Sequence, residues 1–258
     1  MRLGGLFSCA ERKERMRLIA IEQPDRLLAE GIVSEFGFEL ATDTPRGDMV
    51  LKMEKGQLFL TDGELSMCGD FTRILPRTQK GRLAGELLVK AAKRKAFGER
   101  ATAVDATAGL GEDAFLLAAA GFCVQLFESD PVIAALLSDS LRRAACDETM
   151  AGIVSRMTLH CGDSIEAMKA MAERPDVILL DPMFPERHKS ALIKKKFQLL
   201  QQLEKPCGEE TELFDAAVSA GAHRILVKRP LKGPFLAGRK PDYSLNGKAI
   251  RYDCYIFP

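Results

Sequence analysis

The 258-residue sequence has no C-x-x-C pair among its seven cysteines, no apolar run long enough to cross a bilayer, almost no net charge and only three histidines. Each absence excludes something. Cys9, Cys68, Cys123, Cys146, Cys161, Cys207 and Cys254 are odd in number and widely spaced, which argues against a disulfide framework or a cysteine-held metal and predicts reduced thiols in a cytoplasm. No metal is expected. A helical span needs about 20 apolar residues, and the opening MRLGGLFSCAERKERMRL is interrupted by charge too early for a secretory signal. The expectation is a soluble, cytoplasmic protein without a membrane partner. Lys+Arg of 37 against Asp+Glu of 36 leaves nucleic-acid binding to be argued from local clusters alone. His160 falls in a strand pattern, His223 just before one, and His188 stands by itself, so histidine chemistry is not expected.

What is present is a globular composition, 47% apolar and 28% charged, in a chain longer than the usual single domain. From Met16 to about Ile74 the elements are short and mixed. RLIAIEQ reads as a strand, PDRLLAEGIVSEFGF as a helix, and MVLKMEKGQLFLTDG as a hairpin turning at Lys55-Gly56. Residues Pro76 to Arg100 carry eight Lys/Arg against two Glu. They read as a basic loop leading into a helix over Ala84–Phe97, either a solvated linker or a surface facing phosphates. From Ala101 onward strands and helices alternate: ATAVDATA, CVQLFES, RMTLHCGD, DVILLD and HRILVKRP are the strands. That alternation predicts a doubly wound, mostly parallel sheet. The tail KAIRYDCYIF has no helix after it and suits antiparallel strands at one edge. The division expected is a small N-terminal α/β domain over 1–80, helping to grip RNA, and a catalytic domain over 81–258.

The first parallel strand ends in Asp105-Ala106-Thr107-Ala108-Gly109-Leu110-Gly111-Glu112-Asp113. Glycines there permit a tight turn and close approach of a ligand to the backbone. Glu128-Ser129 closes the second strand, with Glu128 19 residues beyond Gly109, where an acid can accept from ribose hydroxyls. Asp163-Ser164, after the third strand, falls where an adenine amino group would lie. The cofactor-binding candidates are therefore Asp105, Thr107, Gly109, Gly111, Glu112, Asp113, Glu128, Ser129, Asp163, Ser164 and Asp181. A nicotinamide nucleotide would bring its pyrophosphate against Glu112 and Asp113, which repel it. S-adenosylmethionine has no phosphate and carries two cationic centres, so the acids favour it.

Asp181-Pro182-Met183-Phe184-Pro185 leaves the fourth strand at the edge where α/β sheets bind ligands. It is similar to the [Asp/Asn]-Pro-Pro-[aromatic] signature of enzymes that methylate planar amino groups. A carboxylate and a rigid turn can accept both hydrogens of an exocyclic NH2 and aim its nitrogen, and an aromatic ring can stack on an extruded base. Asp181, Pro182 and Phe184 are the catalytic candidates. Lys80, Arg82, Arg187, Lys189, Lys228 and Arg229 are the candidates for RNA phosphates.

Taken together, VDATAGLGEDAF, FESDPVIAALL, LLDPMFPERHKSALIKKK and ILVKRP resemble, in order from about Lys80 to the end, the ribosomal RNA small subunit methyltransferase J family. The resemblance implies a Rossmann-like class I methyltransferase fold and transfer of a methyl group from S-adenosylmethionine to a guanine N2 of small-subunit (16S) ribosomal RNA, free or in the assembled subunit. Two positions depart from that family's pattern: Glu112 stands where it has arginine, and LPRTQKGRLAGE replaces a glycine-rich basic loop. The rival expectations are the same chemistry on another RNA or amino-bearing substrate, an NAD(P)-dependent oxidoreductase, and a non-catalytic RNA-binding protein.

Overall fold

The computed structural model describes residues 16–20, 23–41, 49–93, 100–182, 199 and 210–258. They fall into two compact units. One takes the described residues up to Gly69 together with 129–143 and 199, and the other takes 70–93, 100–128, 144–182 and 210–258.

The first unit holds β1 (Arg17–Ala20), α1 (Gln23–Phe36), β2 (Glu39–Ala41), β3 (Val50–Glu54), β4 (Gln57–Thr61) and β5 (Ser66–Met67), with strand order β2-β1-β3-β4-β5. The expected hairpin is there: Glu54 pairs with Gln57, leaving Lys55-Gly56 as a two-residue loop. Both loop residues are left-handed, at φ 52° and 74°, which matches the twist of the flanking strands. The buried Asp25 carboxylate secures the loop, accepting from Lys55 N at 2.9 Å and Gly56 N at 2.7 Å.

The second unit begins with 3-10 turns at Phe71–Arg73, Leu75–Thr78 and Leu83–Gly85. The helix expected over Ala84–Phe97 is shorter than its periodicity suggested. It is α2 (Leu87–Ala92), and Lys93 is already extended. Then come β6 (Thr102–Asp105), α3 (Glu112–Ala119), β7 (Cys123–Glu128), α4 (Pro131–Ala145), α5 (Ala151–Val154), β8 (Met157–Cys161), α6 (Ser164–Lys169), β9 (Val177–Leu180), α7 (Glu210–Ser219), β10 (Arg224–Pro230), β11 (Tyr243–Asn246) and β12 (Ile250–Ile256). Residues 131–143 of α4 belong to the first unit.

The sheet order is β11-β12-β10-β9-β6-β7-β8. From β10 to β8 every pairing is parallel. Strand β12 runs antiparallel to β10, and β11 antiparallel to β12. All four residues of β9 are buried with no exposed surface, as a central parallel strand covered on both faces requires. The last strand is therefore not an edge strand. Strand β11 lies outside it, within a stretch whose flanking Pro241 and Gly247 give it the look of a turn. This is the Rossmann-like, class I methyltransferase architecture expected from the sequence. From β6 the chain winds outward to β7 and β8, then returns to place β9 and β10 on the other side. That switch in strand order falls at the carboxyl ends of β6 and β9, the edge at which such sheets bind ligands. Among the described residues, no helix is long and apolar enough to cross a membrane.

Candidate active site

Strand β6 ends in Asp105, and the loop to α3 turns on two left-handed glycines, Gly109 at φ 53° and Gly111 at φ 75°. Gly111 N donates to Ala108 O at 2.7 Å and Ala108 N to Phe127 O at 3.0 Å. The loop is thus tied to the end of β7. Glu128 joins the tie: its Oε2 accepts from Gly109 N at 2.9 Å. Glu112 is exposed and Asp113 half-buried, both in the first turn of α3. Exposed Ser129 follows Glu128 in the chain.

Asp163 starts α6, its carboxylate accepting from Ile165 N at 2.8 Å, and Ser164 beside it is buried. Asp181 and the buried Pro182 leave β9 directly opposite the glycine loop. The join is a hydrogen bond, from Asp181 N to Thr107 Oγ1 at 2.7 Å. Thr107 thus fixes the corner. Phe184, Arg187 and Lys189 lie outside the described residues.

A lysine stands among these acids. Lys228, on β10, has its Nζ 2.7 Å from Asp113 Oδ2 and 2.9 Å from Asp181 Oδ2. Burial disfavours its charge, but the two carboxylates outweigh it and hold the ammonium above its ordinary range. The sequence reading turned Lys228 and Arg229 toward RNA phosphates, and the structure corrects both. The Lys228 ammonium is engaged by carboxylates. The Arg229 side chain is fully buried on the other face of the strand, donating to Pro234 O at 2.8 Å and lying 3.4 Å from Glu210. Lys80 and Arg82 are exposed among the 3-10 turns, whereas their neighbour Arg77 forms a two-pronged pair with Glu86 at 2.9 and 2.7 Å.

Sequence reasoning missed two groups. Buried Tyr252 on β12 has its phenol raised, first by burial and then by the Asp113 carboxylate. Phe235, beyond β10, is 37% exposed with the Arg251 guanidinium 5.1 Å over its ring. A phenylalanine in the turn-rich KGPFLAG was the available signal; for Tyr252 there was none.

Asp105 is 2% exposed and is pushed up to about 8, first by burial and then by the Asp113 carboxylate, against a hydrogen bond from Thr107 N at 3.2 Å. The folded protein thus keeps a proton that an unfolded aspartate loses near 3.8. Its stabilising contribution is complete below that pH, falls as the pH rises, and is gone above about 8. Asp105→Asn keeps an acceptor for Thr107 and removes the titration. Its thermal-stability advantage over the wild type is expected to grow from pH 5 to 8, by at most about 1.4 kcal/mol per pH unit. A difference independent of pH would refute this.

The donor set suits a phosphate-free, cationic nucleoside. An acid closes β7, the glycine backbone is open to close approach, and Asp113 and Asp181 gather beside the protonated Asp105, where a pyrophosphate would meet carboxylates.

Residues 34–257 match the family model of putative SAM-dependent methyltransferases. Curated relatives named ribosomal RNA small subunit methyltransferase J are 45% identical over 180 residues in Marinobacter nauticus and 48% identical over 180 residues in Stutzerimonas stutzeri. Each match takes in 69% of this chain, and the chain spans 65% and 69% of the respective relatives. A crystal structure of a SAM-dependent methyltransferase from Neisseria gonorrhoeae is similar at a TM-score of 0.75 and 31% identity, covering 93% of this chain and 95% of that one.

Proposed function

Since the chain belongs to the SAM-dependent methyltransferases, and among them to the ribosomal RNA small subunit methyltransferase J family, we propose that it methylates a guanine N2 amino group of small-subunit ribosomal RNA. The observation that carries the reading is the hydrogen bond from Asp181 N to Thr107 Oγ1 at 2.7 Å. It sets a carboxylate suited to an amino substrate against a glycine loop suited to the methyl donor.

S-adenosylmethionine supplies a methyl group on a sulfonium centre. Glu128 and the loop from Asp105 to Asp113 are the residues that would hold it, with Asp163 and Ser164 toward the adenine. The Asp181 carboxylate accepts from the exocyclic amino group, holds the nitrogen on line and draws electron density onto it. As the nitrogen takes the methyl group it gives up one proton, and a carboxylate beside it favours that loss. Phe184, close behind in the sequence, is assigned to stack on the base. Exposed Lys80 and Arg82 are assigned to phosphates, with small-subunit RNA, free or assembled, as partner.

The test is mass mapping of small-subunit RNA from cells with and without the gene. One methyl group missing from one guanine, restored by the wild-type gene, is the expected result. An unchanged RNA map, with methyl transfer to another amino compound, would reassign the substrate and keep the chemistry.

A further inference from the structure

Asp181 is held twice, and the second hold rests on the methyltransferase reading for its meaning. Thr107 fixes its backbone at 2.7 Å, and Lys228 Nζ meets its Oδ2 at 2.9 Å. The same ammonium lies 2.7 Å from Asp113 Oδ2. One side chain from β10 therefore ties the first turn of α3 to the end of β9, across the switch in strand order.

The charges around this point are unbalanced without it. Asp113 and Asp181 converge from α3 and β9, beside Asp105 of β6, which burial keeps protonated up to about pH 8. Tyr252 approaches from β12 with a neutral phenol, Arg77 reaches toward Asp113 and Tyr252 from the 3-10 turns, and Arg229 acts on Asp181 from the next position of β10. Arg77 is committed to Glu86, and Arg229 is buried with Glu210. Lys228 is thus the cation in direct contact with Asp181 among the described residues. Burial holds the Asp181 carboxyl above its ordinary range; Lys228 is the largest influence drawing it back down, and Asp113 raises it again. The state matters to the chemistry. A protonated carboxyl presents a donor on one oxygen and loses the charge that makes it a strong acceptor for an amino group.

We propose that Lys228 is a positioning residue for methyl transfer: its ammonium holds Oδ2 of Asp181 and fixes the side chain as a charged acceptor, leaving the substrate's amino group to Oδ1. Lys228 touches neither substrate nor cofactor in this role. It acts through Asp181, with Asp113 as its anchor.

The test uses the full chain and does not depend on turnover alone. Carboxyl 13C titration of the free protein, with Asp181→Asn to assign the signal, reads Asp181 directly. Lys228→Met is expected to move its midpoint up by about one pH unit or more, the usual effect of losing a contacting opposite charge. Lys228→Arg is expected to restore it. The acid limb of kcat should move with the midpoint, with KM for the cofactor nearly unchanged. An unmoved Asp181 midpoint in Lys228→Met overturns the proposal. Should that variant not fold, the wild-type Lys228 13Cε signal decides. A step at the Asp181 midpoint, absent from Asp181→Asn, supports the coupling, and no step overturns it. A wild-type protein that methylates no RNA defeats the functional reading instead, and the titration still decides whether Lys228 governs Asp181.

Discussion

Asp181→Ala is expected to lower kcat for RNA methylation by about 10²–10³-fold, the range for removing one preorganised polar group from a reacting centre. The exocyclic nitrogen of a base is a poor nucleophile because its lone pair is drawn into the ring. An acceptor on its hydrogens returns density to it, and does so most once the nitrogen gains positive character in the transition state. That bond therefore counts more in the transition state than in the ground state, and its loss appears in kcat. The substitution leaves the corner standing. The bond to Thr107 uses the Asp181 amide, which alanine keeps, and Lys228 retains Asp113 at 2.7 Å, so no cation is stranded. Affinity for S-adenosylhomocysteine, measured calorimetrically, should change by less than about tenfold, or 1.4 kcal/mol. Turnover near the wild-type rate would remove Asp181 from the mechanism.

The features that were legible in the sequence are the ones short segments determine. Alternating buried strands and helices from Ala101 onward gave the doubly wound sheet, because each strand needs its own crossover helix. The glycine loop, Glu128 and Asp181 sit at strand ends, and the rule for α/β sheets places strand ends together without any knowledge of side-chain contacts. The cations on β10 were not legible. Lys228 and Arg229 are adjacent, charged and followed by Pro230, which reads as an exposed strand terminus. In the sheet they face opposite ways. Lys228 meets the acids, and Arg229 turns to the other face, where it is buried with Glu210 of α7 and the Pro234 carbonyl. Arg251 and Asp253 were hidden as well: nothing local announces that a charged strand will be inserted between two others. Arg187, Lys189 and Phe184 lie outside the described residues, so their placing rests on sequence alone.

Asp253→Ala is expected to cost about 3–5 kcal/mol of stability, the penalty for breaking a buried ion pair from one side. Asp253 has no exposed surface and Arg251 is 6% exposed. The two form a two-pronged pair, Nε to Oδ1 at 2.8 Å and Nη2 to Oδ2 at 3.0 Å, and Ser244 Oγ adds a bond to Oδ1 at 2.5 Å. Removing the carboxylate leaves a guanidinium in the interior with its charge uncompensated. At about 2–4 °C per kcal/mol for a chain of this size, the melting temperature should fall by roughly 6–20 °C. The pair's value is not its own attraction, since an apolar pair of similar volume is often no less stable. Its value lies in what Arg251 does with its remaining arm. Nη1 donates at 2.9 Å to each of the Pro230, Leu231 and Gly233 carbonyls. These open the segment that leaves β10 at the ligand-binding edge and carries Phe235. A planar fork can serve three carbonyls and a carboxylate at once, and an ammonium cannot. Arg251→Lys should therefore keep a charge opposite Asp253 and yet lose the segment's order, read as faster amide exchange at Leu231 and Gly233. Unchanged exchange in that variant would show that the turn is held by its own backbone, and that the buried pair serves the sheet alone.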